Sequence, residues 1–182
     1  MDYEKKDGSE KDFMQEMREK YSRAVDAAKD NYDAALDDIK FAMLGEQWDE
    51  SERQKRLRKG RPCLTINKLP ANIRQVVNDA RQNKPSIRCL PVDDNADVKT
   101  AEVLNGLIRN IEVSSNADVA YDTAVQQAVS GGFGYVRVNI EFADDDSFDR
   151  DILIERISNQ FAVIPDPDGD SADGSDWNCC FV

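Results

Sequence analysis

The chain has 182 residues, with 36 acidic and 24 basic side chains and a net charge of −12. Apolar residues make up 40% of the chain and charged residues 33%, so the supply of core-forming side chains is thin and part of the chain should lie in solvent or against a neighbour. The charge excludes adhesion to nucleic acid through the overall field, and the absence of histidine removes the commonest general base and metal ligand.

The cysteine pattern and the hydropathy bound the setting. Four cysteines, Cys63, Cys89, Cys179 and Cys180, form no C-x-x-C pair, so neither a zinc site nor a disulfide framework is predicted. No apolar run is long enough to span a bilayer, and the N-terminal residues lack the apolar segment of a signal peptide. We expect reduced thiols, no membrane contact, and a protein that is made in the cytoplasm and used there or in a particle assembled there.

The first predicted element is a long helix over Lys11–Leu44, ended by Gly45. Its apolar side chains recur every three or four residues, which is the helical period. Because they are mainly Ala, Tyr and Met, they form a modest contact face, for the helix's own domain or for an adjacent subunit. The stripe consists of Met14, Met17, Tyr21, Val25, Ala28, Tyr32, Ala35, Ile39 and Met43.

A basic run follows, and it is the one local reversal of the acidic charge. Gly60 and Pro62 mark a turn at its end. Three roles stay open: a solvated connector pairing with Asp49 and Glu50, contact with an acidic face of a neighbouring subunit, or direct phosphate contact. The candidate contact residues are Trp48, Arg53, Arg56, Arg58 and Arg61.

The middle of the chain predicts three helices and a short strand. Asn67 is expected to cap a helix that tolerates Pro70 in its first turn and ends before Pro85. Ile87–Val92 is predicted as a strand, and a second helix should run from about Ala96 to Val113. Asn116 should cap a third, with Asp118 favourable in its first turn and Gly131–Gly132 at its end.

The last third is predicted as β structure. Apolar and polar residues alternate from Tyr135 to Phe142, which is typical of a half-buried strand, and Ile152–Ile157 returns after a turn at Asp144–Asp146. A third apolar stretch, Phe161–Ile164, precedes an acidic loop over Pro165–Asp176. Trp177–Val182 would begin another strand, so we expect the front piece of a longer polypeptide.

The predicted fold class is α+β: a long N-terminal helix, several amphipathic helices and a small, mostly antiparallel sheet that is incomplete at the C-terminus. We expect a helical arm over residues 1–45 and an α+β domain over residues 46–182.

Two short motifs resemble ligand loops but lack the required context. Gly131–Gly134 follows a helix and opens a strand, whereas a phosphate loop follows a strand and opens a helix. Asp166–Asp170 lacks the later glycine and glutamate of a calcium loop. We therefore assign no catalytic residue, cofactor or metal, and predict that the protein is not an enzyme.

Several short motifs, taken in order and with their spacing, resemble the early part of the portal (head-to-tail connector) proteins of short-tailed, podovirus-type bacteriophages. The resemblance covers roughly Phe41–Val182. Its motifs are Trp48, Arg53, Arg61-Pro62-x-Leu64-Thr65-x-Asn67-x-Leu69, Val77-Asn78-x-x-Arg81-Gln82-Asn83-x-Pro85-Ser86-Ile87, Gly106-Leu107-Ile108-Arg109-x-Ile111-Glu112, Ala120-Tyr121-Asp122, Gly131-Gly132-Phe133-Gly134 and Asp166-Pro-Asp168.

The resemblance implies a structural subunit of a homo-oligomeric ring of about twelve copies at one capsid vertex of the virion, assembled in the host cytoplasm. It implies that double-stranded DNA passes through the ring without sequence specificity during packaging and ejection. Terminase, tail-adaptor and capsid proteins would be the partners, and this segment would correspond to the outer wing region.

Two other functions stay open at this point. A coiled-coil adaptor or scaffolding protein could use the Lys11–Leu44 helix as its arm, although an Ala/Tyr/Met stripe is weak for a heptad seam. A metal-dependent nuclease could use acidic residues such as Asp166 and Asp168.

Overall fold

The computed structural model describes residues 4–84, 87–91, 98–144, 146–171 and 174–182. The fold is α+β with a long N-terminal helix, as predicted. The elements in chain order are α1 (Glu4–Ile39), a π-helical turn (Lys40–Leu44), α2 (Glu50–Arg58), α3 (Leu69–Gln82), α4 (Val98–Ser114), α5 (Ala117–Gly131), β1 (Val136–Phe142), β2 (Arg150–Arg156) and a 3₁₀ turn (Gln160–Ala162).

The chain forms two compact units. One, the helix–loop unit, combines Met1–Asp37 with Phe161–Val182, and the other, the sheet unit, comprises Asp38–Gln160. The expected division into an arm over residues 1–45 and a domain over residues 46–182 stays a prediction.

The helix–loop unit is built on the small residues of α1. Ala24, Ala28 and Ala35 are buried, and Val163 of the C-terminal segment is buried with them. Side chains this small let backbone approach a helix closely, and the Tyr32 hydroxyl donates a hydrogen bond to the Val163 carbonyl. The middle of the predicted stripe therefore faces its own chain.

Aromatic contacts fasten the same segment at two further points. Tyr32 meets Phe161 edge to face at 5.6 Å between ring centroids, and Tyr21 meets Phe181 at 5.2 Å. The predicted strand over Trp177–Val182 is wrong: among the described residues this stretch forms a single antiparallel bridge, between Ile164 and Phe181. In the loop between them, the amides of Asp168 and Asn178 donate to the Asp166 carboxylate and those of Asp170 and Ser171 to the Asp176 carboxylate, instead of to a neighbouring strand.

The sheet unit begins where α1 ends. Gly45 adopts a left-handed conformation, φ +71°, directly after the π-helical turn. Asn67 then ties this turn to α3, because its Nδ2 donates to the Ala42 carbonyl at 2.7 Å while its Oδ1 accepts from the Leu69 amide at 3.1 Å. Asn67 was predicted to cap α3, and its side chain does accept from the first turn, although Lys68 rather than Asn67 occupies the N-cap position.

Helix α5 is the centre of the sheet unit and contacts α3, α4 and both strands. Ala117 and Ala120 are buried at these contacts, and Arg81 of α3 pairs with Asp122 of α5 at 2.9 Å. Asn116 stands at the N-cap in a left-handed conformation, φ 51°, and its side chain makes no capping bond. The predicted side-chain cap is therefore wrong, although the helix begins where expected.

The strand predicted over Ile87–Val92 is also wrong for residues 87–91, which form no strand; Val92 lies outside the described residues. The side-chain amide of Asn105 on α4 takes the place of a strand partner. It accepts from the Cys89 amide at 2.8 Å and donates to the Cys89 carbonyl at 3.0 Å. The predicted start of α4 at Ala96 likewise falls outside the described residues.

The sheet is an antiparallel hairpin of β1 and β2, paired from Val136 with Arg156 to Phe142 with Arg150. Asp145 of the predicted turn lies outside the described residues. Gly134 allows the chain before β1 to pass close to α5, because a Cβ at this position would lie 2.8 Å from the carbonyl carbon of Ala124 in α5. The prediction that β1 is half-buried is wrong: six of its seven residues are exposed, and only Asn139 is partly covered.

The core is thin, as the composition predicts. The buried apolar residues of the described chain are alanines apart from Val77 and Val163, and no large side chain among them is fully buried. In the described part of the chain, no helix combines the length and apolarity that crossing a membrane would require.

Candidate subunit interface

The predicted basic run folds as the short helix α2, which sequence reasoning missed. Asp49 caps it by accepting a hydrogen bond from the Ser51 amide at 2.7 Å, and that bond is the main reason the pKa of Asp49 lies below its ordinary value. Acidic residues fall in its first turn and basic residues in its last, which suits the helix dipole. None of its residues is buried, so local interactions hold it.

Two of the five predicted contact residues bind each other. The Arg56 guanidinium lies over the Trp48 ring at 4.7 Å from its centroid and donates to the Pro62 carbonyl at 3.2 Å. Trp48 Nε1 donates to the Leu64 carbonyl at 3.4 Å. Trp48 and Arg56 therefore hold the chain beyond Gly60 against α2, which is a structural role within the chain.

The other three predicted residues are exposed. Arg53 pairs with Glu50 at 3.3 Å, as expected for a solvated connector. No described carboxylate lies within ion-pair distance of Arg58 or Arg61, so their charge is available to a partner. The structure thus brings the basic side chains to one short helix and the turn that follows it.

Sequence reasoning missed the apolar residues of this surface. Leu64 and Ile66 are 78% and 83% exposed in a stretch without helix or strand, and Leu57 is exposed on α2. The sequence did contain a signal for them: Leu57 is a lone apolar residue in a charged run, and Leu64 and Ile66 follow it two positions apart. We define the basic surface as Arg53, Leu57, Arg58, Arg61, Leu64 and Ile66.

A second exposed surface lies on the hairpin. Val138, Ile140 and Phe142 of β1 share a face, and Ile152 of β2 lies opposite Ile140. All four are exposed in the chain, which is unusual for large apolar side chains clustered together. We define these four residues with Val136 as the hairpin face.

The acidic loop, by contrast, uses its carboxylates on itself. Asp166 is buried and accepts from the amides of Asp168 and Asn178 at 3.1 and 2.8 Å. These bonds, that of Asp168 first, lower the pKa of Asp166 below its ordinary value. Asp168 pairs with Arg23. These side chains act as turn acceptors, and the described residues bring no three acidic or cysteine side chains together around a metal position.

A thin core, exposed apolar faces and an exposed basic helix are typical of a structural subunit that packs against other protein. This class accords with comparisons to known proteins. The phage P22-like portal protein family matches residues 18–182, most of the chain. The chain belongs to this family.

A portal protein of Acyrthosiphon pisum secondary endosymbiont phage 1 is 29% identical to the chain over 178 residues. The aligned part covers 91% of this chain and 25% of that relative, so the chain spans about a quarter of the length of the curated relative it matches. The predicted resemblance to portal proteins is confirmed, and with it the prediction of a structural protein over that of an enzyme.

Proposed function

We propose that the chain is part of a subunit of an oligomeric portal ring at the phage capsid vertex, through which double-stranded DNA enters during packaging and leaves at ejection. The observation that carries this proposal is the family match over residues 18–182. The exposed apolar faces support it, because Ile140, Leu64 and Ile66 lie in solvent in the described chain and would gain apolar burial on assembly.

The proposal extends to the number of copies and the partners. A ring of about twelve identical subunits would place the same contacts around a closed circle. Terminase, tail-adaptor and capsid proteins would dock on it. The net charge of −12 suits a conduit through which DNA slides, since tight binding to phosphates requires many Lys and Arg side chains. Assembly would take place in the host cytoplasm.

Within the ring, we assign the predicted residues two roles. Arg53, Arg58 and Arg61 contact the neighbouring subunit, where opposite charges set register and association rate. Trp48 and Arg56 maintain the conformation of this surface and affect the contact with the neighbour indirectly. A coiled-coil arm is less well supported, because Ala24, Ala28 and Ala35 of α1 are already covered by the chain itself.

Reversal of Arg58 and Arg61 tests the assignment. In the protein carrying this sequence at its natural length, Arg58→Glu with Arg61→Glu should abolish rings in electron micrographs and native mass spectra. Arg18→Glu with Arg109→Glu changes the net charge equally at two other exposed positions and should leave rings intact. A wild-type protein that stays monomeric would contradict the proposed function, whereas intact rings in the first variant would contradict only the role of these arginines.

A further inference from the structure

Phe148 is the most exposed large apolar side chain of the described chain, at 95%. It lies in the turn between β1 and β2, beyond the paired residues of the hairpin. Hydrogen bonds hold the turn: the Ala143 amide donates to the Asp149 carbonyl at 2.9 Å, and the Asp149 amide donates to Ser147 Oγ at 3.0 Å. An aromatic ring held in solvent in this way is typical of a side chain that anchors one protein on another.

The turn that carries Phe148 is acidic. From position 144 to position 149 the sequence contains four acidic residues and no basic one. Asp146 and Asp149, on either side of Phe148, are exposed. The next basic residue, Arg150, lies over the Phe142 ring at 5.4 Å, on the hairpin itself. A surface that receives Phe148 should therefore combine an apolar pocket with positive charge at its edge.

A pocket of this kind lies on the same chain, where α3 packs on α5 and on the π-helical turn. The volume of this pocket, which we call the α3 cavity, is about 470 Å³, within the range of protein pockets that enclose a ligand group. No acidic side chain of the described chain lines it. Its apolar lining consists of Met43, Pro70, Ile73 and Val77.

Two arginines supply the positive charge of the α3 cavity. Arg81 is held by Asp122 of α5, with 2.9 Å between its Nε and a carboxylate oxygen. Arg74 Nε donates to the Pro70 carbonyl at 3.1 Å, and no described carboxylate lies within ion-pair distance of Arg74. Because Arg74 is exposed, its charge is available to an acidic group that approaches from outside. The cavity thus matches Phe148 and the carboxylates beside it in both polarity and charge.

A ring of identical subunits needs two different, complementary surfaces on each copy, because a head-to-tail contact repeats around the circle. We propose that Phe148 of one copy inserts into the α3 cavity of the next copy, with the acidic residues of its turn beside Arg74. The inference rests on the proposed ring and identifies a further pair of surfaces that join its subunits. The aromatic ring would supply the apolar burial, and the opposite charges would fix the register.

Removal of the aromatic ring is the most direct test. In the protein carrying this sequence at its natural length, Phe148→Ala should weaken subunit association at least about tenfold, as truncation of a central interface aromatic does. Because Phe148 is exposed within the chain, the melting temperature of the dissociated subunit should not change. Phe13→Ala, which removes an exposed aromatic ring from α1, is the matched control and should leave association unchanged. Analytical ultracentrifugation measures both.

Disulfide trapping between two different variants tests the pairing itself. In a background with all native cysteines replaced by serine, one variant carries Phe148→Cys and another carries Asn78→Cys, in the lining of the α3 cavity. Mixing them under mild oxidation should give a covalent dimer that neither variant gives alone. Asp79→Cys is the matched control, since Asp79 is the next residue on α3 and does not line the cavity. Its mixture with Phe148→Cys should give no covalent dimer.

Charge reversal provides a third readout. Arg74→Glu should weaken association about tenfold, and adding Asp146→Lys with Asp149→Lys should restore most of the loss. Arg88→Glu changes the net charge equally at an exposed position outside the α3 cavity and should leave association unchanged.

Two results would overturn the inference and leave the ring itself standing. One is rings that form with unaltered affinity in Phe148→Ala and never cross-link between Phe148→Cys and Asn78→Cys. The other is protection of Asn78→Cys from maleimide in dissociated subunits, which would show that another part of the same polypeptide fills the α3 cavity. Absence of rings from the wild-type protein would instead count against the proposed function.

Discussion

Two apolar stripes of this chain have opposite fates. On α1 the buried residues Ala24, Ala28 and Ala35 form what we call the alanine stripe, whereas the hairpin face leaves Val138 and Ile140 in solvent. Valine and isoleucine gain more free energy from burial than alanine does, so hydrophobicity alone would predict the reverse. Burial within a chain therefore depends on which segment is available to cover a stripe.

The alanine stripe is covered because its partner can approach closely and is attached by specific bonds. The Tyr32 hydroxyl binds the Val163 carbonyl, and the ring of Phe181 packs edge to face on Tyr21. The hairpin face has no such partner among the described residues. A covered stripe contributes to the stability of the chain, and an uncovered one of this size contributes little to it.

The largest effect on stability is expected from overfilling the alanine stripe. Ala24 is 1% exposed, so Ala24→Leu introduces three carbon atoms where α1 meets the C-terminal segment. We expect a loss of about 2 kcal/mol in the free energy of unfolding, the usual cost of overpacking. Urea denaturation followed by circular dichroism measures it.

Ala27→Leu is the matched control, since Ala27 lies on the same helix with its side chain exposed. It should change the free energy of unfolding by less than about 0.5 kcal/mol. Equal losses in the two variants would mean that the alanine stripe is not covered in solution, and the contrast between the stripes would disappear.

Periodicity predicted α1, α3, α4, α5 and the hairpin, because local patterns largely decide whether a segment is helix or strand. It could not predict exposure, which depends on distant segments: the alternation of β1 indicates a face to be buried without saying what buries it. The strand predicted at Ile87 failed for a related reason. The Asn105 side-chain amide forms hydrogen bonds with the backbone amide and carbonyl of Cys89. The sequence around Cys89 does not predict such a partner.

The candidate interface was predicted in charge but not in shape. The basic run identified Arg53, Arg58 and Arg61, while helix α2 was missed because it lacks an apolar stripe and depends on the cap at Asp49. Trp48 and Arg56 are eight residues apart in the sequence, and Trp48 precedes the start of α2. Neither helical nor strand periodicity predicts a contact at this separation.

A smaller effect is expected where Asp166 fastens the loop that leads to Phe181. Because the pKa of Asp166 is lowered in the folded chain, its contribution to stability is present above its ordinary value of 3.8 and is lost as the pH falls through the lowered pKa. The loop should loosen below about pH 4. Fluorescence of Trp177 in a Trp48→Phe background reports it, since Trp177 lies against Gly169 and Gly174 of that loop.

Asp166→Asn should loosen the loop at neutral pH and remove its acid transition, because the amide keeps one acceptor and turns a donor toward the Asn178 amide. Asp170→Asn removes the same charge from an exposed side chain in the same loop and should retain the transition. If both variants titrated like the unaltered chain, Asp166 would have no part in holding the segment that covers the alanine stripe.

The smallest effect on the stability of the isolated chain is expected at the hairpin face. Ile140→Thr keeps a β-branched side chain, which strands favour, and removes apolar surface from a position that is 60% exposed. The free energy of unfolding should change by less than about 0.5 kcal/mol, whereas Val77→Thr, at a buried position, should cost about 1 to 2 kcal/mol. Sedimentation of the same Ile140→Thr protein should nevertheless show weaker self-association. A large loss of stability in the monomeric chain would show that the hairpin face is already covered there, because an exposed methyl group contributes little to folding until another surface removes it from water.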